Sequence, residues 1–342
     1  MPITPVYLEP PYLLFMGDVG DDGHGKTGQG IAYWRPELCA GQMRLPACEV
    51  DLGLPELGVE EAVGSGVRTA IIGIASTGGV LLEAWLPALT DLARAGIDIA
   101  AGTHRKLAET PELVAAAKAG NARLIDVRVP PKDIPVGTGN KRPGKRVITV
   151  GTDCAVGKKF SALALHRELD NRRINADFRA TGQTGIMIAG EGIPIDAVVA
   201  DFVSGAAEVL SPGNDADHWD IIEGQGAILH PSYAGVTLGL LHGSQPDALI
   251  LCHEAGRTHL KSMERDFEIP PLDELAETLL RLARVSNPAC IWAGISVNTA
   301  TLGATRRDAY LADLESRYGI PAVDPVATGM QKIADYLLEQ LR

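Results

Sequence analysis

The sequence predicts an α/β protein of two domains, each built on a mainly parallel sheet. Two observations carry this. Apolar, strand-type runs alternate with helix-type stretches along nearly the whole chain. A stretch rich in proline and glycine, 129–145, then breaks the alternation before it restarts. A chain of 342 residues suits two domains, each of roughly 100–200 residues. The spacing puts their boundary near residue 140, dividing 1–140 from 141–342.

In chain order, YLLFMG (12–17) and TAIIGIA (69–75) read as strands. STGG (76–79) opens a helix expected from Val80 to about Ala95. IDIAAG (97–102) is a strand, ETPELVAAAKAG (109–120) a helix ending in glycine, and ARLIDVR (122–128) a strand. Past the linker, RVITVG (146–151) is a strand and KKFSALALHREL (158–169) an amphipathic helix. DAVVADFV (196–203), DIIEG (220–224), ALILCH (248–253), CIWAGISVN (290–298) and AVDPV (322–326) read as strands or strand ends. The segments 270–284 and 328–342 read as helices.

The net charge is −12, from 31 basic and 43 acidic residues, and aromatics are 5%. That balance argues against nucleic acid as a partner, since neither a basic field nor a stacking platform is available. No apolar run approaches the ~18–20 residues of a bilayer span. The N-terminal segment lacks the basic region of a signal peptide. Five scattered cysteines form neither CxxC nor a zinc spacing, so reduced cytoplasmic thiols are expected and no metal centre.

The sharpest local feature is RVITVGTDCAVGKKFSALAL (146–165). A strand ends at Gly151, a loop follows through Thr152, Asp153, Cys154, Ala155 and Val156, and Gly157-Lys158 open a helix. Backbone N–H groups and a helix N-terminus then converge on one spot, and Lys158 adds charge there. The spacing is G-x5-G-K, and Lys159 follows where a Mg²⁺-binding Ser or Thr usually stands. A pyrophosphate without an obligatory metal suits such a loop, and coenzyme A carries one. Between 141 and 159, six cations (Lys141, Arg142, Lys145, Arg146, Lys158, Lys159) face one acid, Asp153. That local excess reads as the place for an anionic cofactor.

WDIIEGQGAILHPSY (219–233) places the acid Glu223 at a strand end, as a base or metal ligand. ATGQTG (180–185) offers Thr181, Gln183 and Thr184 for polar substrate contacts. HEAGRTHLK (253–261) offers His253 as a base and Arg257 as a carboxylate clamp. SVNTATL (296–302) ends another strand with Asn298 and Thr299. In the first domain, Gly23, Gly25 and Gly28 form G-x-G-x-x-G, but Pro36 argues against the helix that a nicotinamide site needs.

Two resemblances follow. GTDCAVGKK and EGQG resemble the phosphate loop and acidic turn of dethiobiotin synthetase and its relatives. End to end, a Rossmann-like N-terminal domain followed by a P-loop NTPase-like domain with GTDCAVGK, ATGQTG, EGQG, HPSY and a His after Cys252 is similar to a bacterial family containing D-glutamate N-acetyltransferases. Lys159-Phe160 stands where that family usually has small hydroxyl residues. The resemblance implies acetyl transfer from acetyl-CoA to the amine of D-glutamate, in D-amino-acid catabolism; a homo-oligomer is expected on general grounds for a metabolic enzyme. It implies that Gly151 to Lys159 hold the coenzyme and that Glu223, His253 or Asp153 handles the proton. Arg257, Thr181, Gln183 and Thr184 would then bind the amino acid. The alternatives are an ATP- and Mg-dependent carboxylate-activating enzyme, with Glu223 and Asp153 as ligands, and a nucleotide-binding regulatory protein.

Overall fold

The computed structural model describes residues 5–21, 24–74, 81–261, 263 and 265–342. The first elements are β1 (Val6–Tyr7), β2 (Tyr12–Gly17), α1 (Lys26–Trp34), β3 (Cys39–Arg44), α2 (Val59–Gly64), β4 (Thr69–Ile72), α3 (Leu86–Arg94), β5 (Asp98–Ala101), α4 (Pro111–Gly120) and β6 (Leu124–Asp126). Then come β7 (Lys145–Gly151), α5 (Lys158–Asn171), β8 (Ala176–Arg179), α6 (Gln183–Ala189), β9 (Glu191–Gly192), α7 (Val203–Leu210) and β10 (Trp219–Ile222). The chain closes with α8 (Ala234–Ser244), β11 (Ala248–Glu254), α9 (Leu272–Ala283), β12 (Ile291–Asn298), α10 (Ala304–Tyr318), β13 (Ala322–Val323) and α11 (Gln331–Gln340). None of the described helices is long and apolar enough to cross a membrane.

Two compact units emerge. One runs to Pro131 and takes in Gly182–Ala197; the other holds 132–181 and 198–342. The first unit carries a parallel sheet ordered β3-β2-β4-β5-β6 and a short antiparallel pair, β1-β9. Phe15, Ile72, Leu89, Ile99 and Leu113 fill its core. The second carries a six-stranded parallel sheet ordered β13-β12-β11-β7-β10-β8. Val147, Leu165, Ile221, Ile250 and Leu337 fill that one. Strands buried on both faces read as continuous apolar runs, and β7, β10 and β11 are nearly all buried.

Four sequence readings change. Helix α1 does form after the glycine-rich loop: it stops at Trp34, and Pro36 opens the next 3-10 turn instead of interrupting the helix. Buried Gly28 lets α1 approach the sheet, its N–H donating to the Gly73 carbonyl at 2.8 Å. Gly23 lies outside the described residues. Helix α3 starts at Leu86, not Val80, because Pro87 fits only the first turn; residues 75–80, with STGG, lie outside the description. The run 196–203 is not a strand. It forms 3-10 turns at Ile195–Ala197 and Ala200–Phe202 and leads into α7, whose buried Val203, Ala206, Ala207 and Leu210 follow helical spacing. AVDPV forms a strand only at Ala322–Val323, and Asp324 then turns the chain.

Candidate active site

Strand β7 lies between β11 and β10, so its C-terminal end sits where the sheet order reverses. Open parallel sheets build their ligand crevice at such a point. The loop leaving β7 fits only with glycine at 151. A Cβ there would stand 2.9 Å from Lys158 Nζ, Val156 Cγ2 and the Asp153 carbonyl. Gly157 has φ 101°, and Ala155 is also left-handed at φ 54°, a region glycine enters freely and alanine rarely. Lys158, at the first turn of α5, bends back so that its ammonium donates to the Asp153 carbonyl at 2.8 Å. Burial holds its pKa below the usual lysine value, while Cys252, Cys154, Asp153 and Glu223 pull the other way. Lys159 is held down in the same way by burial and is attracted to Glu223.

The neighbouring strands supply the flanks. On the β10 side, Glu223 is 3% exposed, and its Oε2 accepts the Thr181 N–H at 2.9 Å. The Thr181 hydroxyl donates to the Glu223 carbonyl at 2.7 Å, and Gln225 Nε2 donates to Thr181 Oγ1 at 3.1 Å. Gly224 is obligatory here: a Cβ would sit 1.6 Å from the Thr149 carbonyl and 3.3 Å from Lys158 Cδ. On the β11 side, the Thr152 N–H donates to the Cys252 carbonyl, and Thr152 Oγ1 lies 3.2 Å from His253 Nδ1. Burial, reinforced by Arg257, pushes the His253 pKa down to about 4, so the imidazole is neutral near pH 7. Beneath the loop, Ser161 links α5 to Ser296 on β12 at 2.7 Å.

Asp153 and Arg257 come together, but with each other. The Asp153 carboxylate is fully buried and accepts from the Cys154 N–H, the Lys261 N–H and the Arg257 guanidinium. Arg257 also donates to the Cys154 carbonyl and to Glu254. This pair braces the loop; it presents neither a free acid nor a free clamp. Asp153, Cys154 and His230 bring ligand-type atoms close together, but the Asp153 carboxylate is already engaged by Arg257 and by the N–H groups of Cys154 and Lys261. Gln183 and Thr184 open α6, in the other compact unit. There a Cβ on Gly102 would lie 3.3 Å from Gln183 Cγ, and one on Gly30 would lie 4.0 Å from Thr184 Cγ2.

The basic excess at 141–159 divides between the two ends of β7. Lys158 and Lys159 stand at the loop. Lys141 pairs with Asp247 at 3.0 Å, and Arg142 donates to Ser211, Gln245 and Gly243. Arg146, fully buried, donates to the Ser211 hydroxyl and to four carbonyls. Lys145 lies over the Trp219 ring at 4.9 Å. These four cations stabilise the base of the domain and do not mark an anion site. Sequence reading passed over His230, which is 2% exposed and accepts the Ser232 N–H at Nδ1; HPSY offered no spacing that tied it to the loop.

Fold and loop define a protein with a Rossmann-like domain and a phosphate-loop domain. The chain matches the family described as "Domain of unknown function (DUF1611_C) P-loop domain" over residues 135–334. It matches the companion "Domain of unknown function (DUF1611_N) Rossmann-like domain" over 40–130. It belongs to this DUF1611 family. A crystal structure of a family member from Anabaena variabilis superposes with a TM-score of 0.82 at 32% identity, covering 97% of this chain and all of that one. Two curated relatives are named D-glutamate N-acetyltransferase. The one from Tritonibacter scottomollicae is 49% identical over 96% of this chain and 99% of its own length. The one from a Pseudoalteromonas species is 44% identical over 95% and 98%. The chain is accordingly an enzyme of the acyltransferase class.

Proposed function

We propose that the protein transfers an acetyl group from acetyl-CoA to the amine of D-glutamate. The observation that carries this is the loop itself: Lys158 buried over a glycine cradle, with Glu223 on one flank and His253 on the other. The names of the two relatives supply the transferred group and the acceptor. The cradle suits a pyrophosphate, because a Cβ on Gly151 would fill it and the helix N-terminus faces it. Lys158 and Lys159 would supply the countercharge.

Acyl transfer needs a deprotonated amine, held in line with the thioester. Its nitrogen bonds to the acetyl carbon, the carbon–sulfur bond breaks, and the thiolate takes up a proton. We assign the amine proton to Glu223. A proton on His253 would create a buried cation beside Arg257, which the depressed pKa opposes. Thr181 orients the Glu223 carboxylate. His253 is a positioning residue that holds Thr152 at the start of the loop.

The test is direct. Purified protein mixed with acetyl-CoA and D-glutamate should release free thiol, and faster than with L-glutamate. Absence of thiol release with every amino acid tried would overturn the reading.

A further inference from the structure

A cavity of about 350 Å³ opens beside the phosphate loop, and nothing in the reaction above uses it. It shares Val156 and Gly157 with the loop and continues along Phe160 on the first turn of α5. Its volume falls at the lower end of the ~300–1,000 Å³ typical of small-molecule sites. Most of its lining is apolar, yet a strand end and a helix each contribute a polar group. Asn298, which ends β12, has its Oδ1 engaged by the Ala300 N–H at 3.1 Å, so its amide N–H groups are what it can offer a ligand. Arg307, on α10, has its Nε held by Asp308 at 2.9 Å, which leaves the terminal nitrogens of the guanidinium as donors.

The wall is built, not incidental. The Asp324 carboxylate accepts from the Thr299 N–H at 3.0 Å and its hydroxyl at 2.5 Å. It also accepts from the N–H groups of Val326 and Ala327 at 2.8 and 2.9 Å. These bonds fix the loop carrying Pro325, Val326 and Ala327 against the end of β12. A cavity set before binding costs little ordering when it fills.

We propose that this cavity holds the nucleoside of the coenzyme, and that Arg307 reads a phosphate on its sugar. The inference rests on the assignment of acetyl-CoA to the loop. A diphosphate seated on the loop has its nucleoside one bond sequence away, and the cavity is the adjoining space that the loop's own residues line. Apolar walls suit a purine, and Asn298 can donate to a ring nitrogen. Arg307 brings positive charge to a site otherwise walled by apolar and neutral groups and by a carboxylate already saturated with donors. A phosphomonoester on the ribose supplies the matching charge. The site would therefore discriminate coenzyme A from the same molecule without its 3′-phosphate.

Calorimetric titration of the full-length protein with coenzyme A, with dephospho-coenzyme A and with ADP tests this, beside the thiol-release assay. Ala300→Trp fills the cavity from an exposed position and should weaken coenzyme A binding at least tenfold with the melting temperature held. If that variant does not fold, Val326→Trp, at a position 67% exposed, gives the same reading. Arg307→Ala should weaken coenzyme A by about 10- to 100-fold, the range for a charged hydrogen bond, and leave dephospho-coenzyme A unchanged. Wild-type affinity for coenzyme A in the filled-cavity variant, with thiol release intact, would overturn the cavity assignment and leave the acetyltransferase reading standing. Equal losses for both coenzymes in Arg307→Ala would overturn the phosphate role. Failure of the wild-type protein to bind coenzyme A or release thiol would sink both readings together.

Discussion

The two ends of strand β7 hold cations for opposite purposes. At the start of the strand, Arg146 is fully buried and spends its guanidinium on the Ser211 hydroxyl and on carbonyls of 142, 143, 144 and 212. Six residues past its start the strand ends, and Lys158 comes back over the loop with one carbonyl among the described residues, that of Asp153, under its ammonium. The first arrangement saturates a charge inside the protein. The second leaves room around a buried charge, which on the proposed function an anion from outside would complete. Partner count, and not positive charge alone, separates a cation that holds a fold from one that binds a ligand.

The largest effect should come from breaking the saturated end. Arg146→Met removes the donors of four carbonyls and of the Ser211 hydroxyl, and takes a buried positive charge from the network in which Ser211 and Arg179 also hold Asp220. Breaking a buried charge network typically costs about 3–5 kcal/mol. Chemical denaturation should show a loss of that size, with coenzyme A affinity unchanged in the protein that remains folded. A comparable loss of affinity would mean that the two ends are not independent.

Next is a pH effect at the loop end. His253 has a native pKa of about 4, against about 6.5 unfolded. The unfolded chain therefore binds the extra proton between those values, and stability rises with pH across the window. Full stability holds above about pH 6.5 and falls as pH drops toward 4, by as much as about 3 kcal/mol. In His253→Gln that part of the slope should vanish in denaturation curves taken from pH 7 to pH 4. An unchanged slope would show that the imidazole is not held neutral.

Lys158→Ala should cost about 10- to 100-fold in coenzyme A affinity, as expected for one charge-assisted contact. Its stability should hold or rise, because a desolvated ammonium is removed. The sign is the point: at the start of β7 a lost cation destabilises, and at its end it does not. A drop in stability like that of Arg146→Met would erase the distinction.

Much of this was legible in the sequence. β7, the glycines at 151 and 157 and the amphipathic α5 follow from local pattern alone, because a turn that needs left-handed backbone and a helix that buries one face leave their marks in adjacent residues. The assignment of all six cations to one anion site failed, since strand direction separates residues that sequence keeps close. Asp153 and Arg257 were read as chemistry but pair with each other across 104 positions, and no local signal reports such a partner. The α1 helix was missed because a proline just past its end was read as falling inside it. The cavity at Asn298 and Arg307 joins β12 and α10 to α5, and only tertiary structure brings those segments together.

The smallest and most discriminating effect concerns Lys159. It is the residue by which this loop departs from the common form, and Lys159→Thr restores the hydroxyl. If the loop were a metal-dependent nucleotide site in disguise, that change would strengthen Mg·ATP binding. If the lysine is a second countercharge, the change weakens coenzyme A instead. Its contribution should be less than that of Lys158, because Lys158 is pinned across the loop by the Asp153 carbonyl whereas Lys159 lies partly exposed beside Phe160. A loss of about two- to tenfold fits one ordinary hydrogen bond. The readout is the KM for acetyl-CoA in the thiol-release assay, with kcat nearly constant, since a charge that meets the coenzyme equally before and during transfer affects binding alone. A fall in kcat at constant KM would place Lys159 in the reaction, and would shift the boundary between binding and chemistry one residue along the helix.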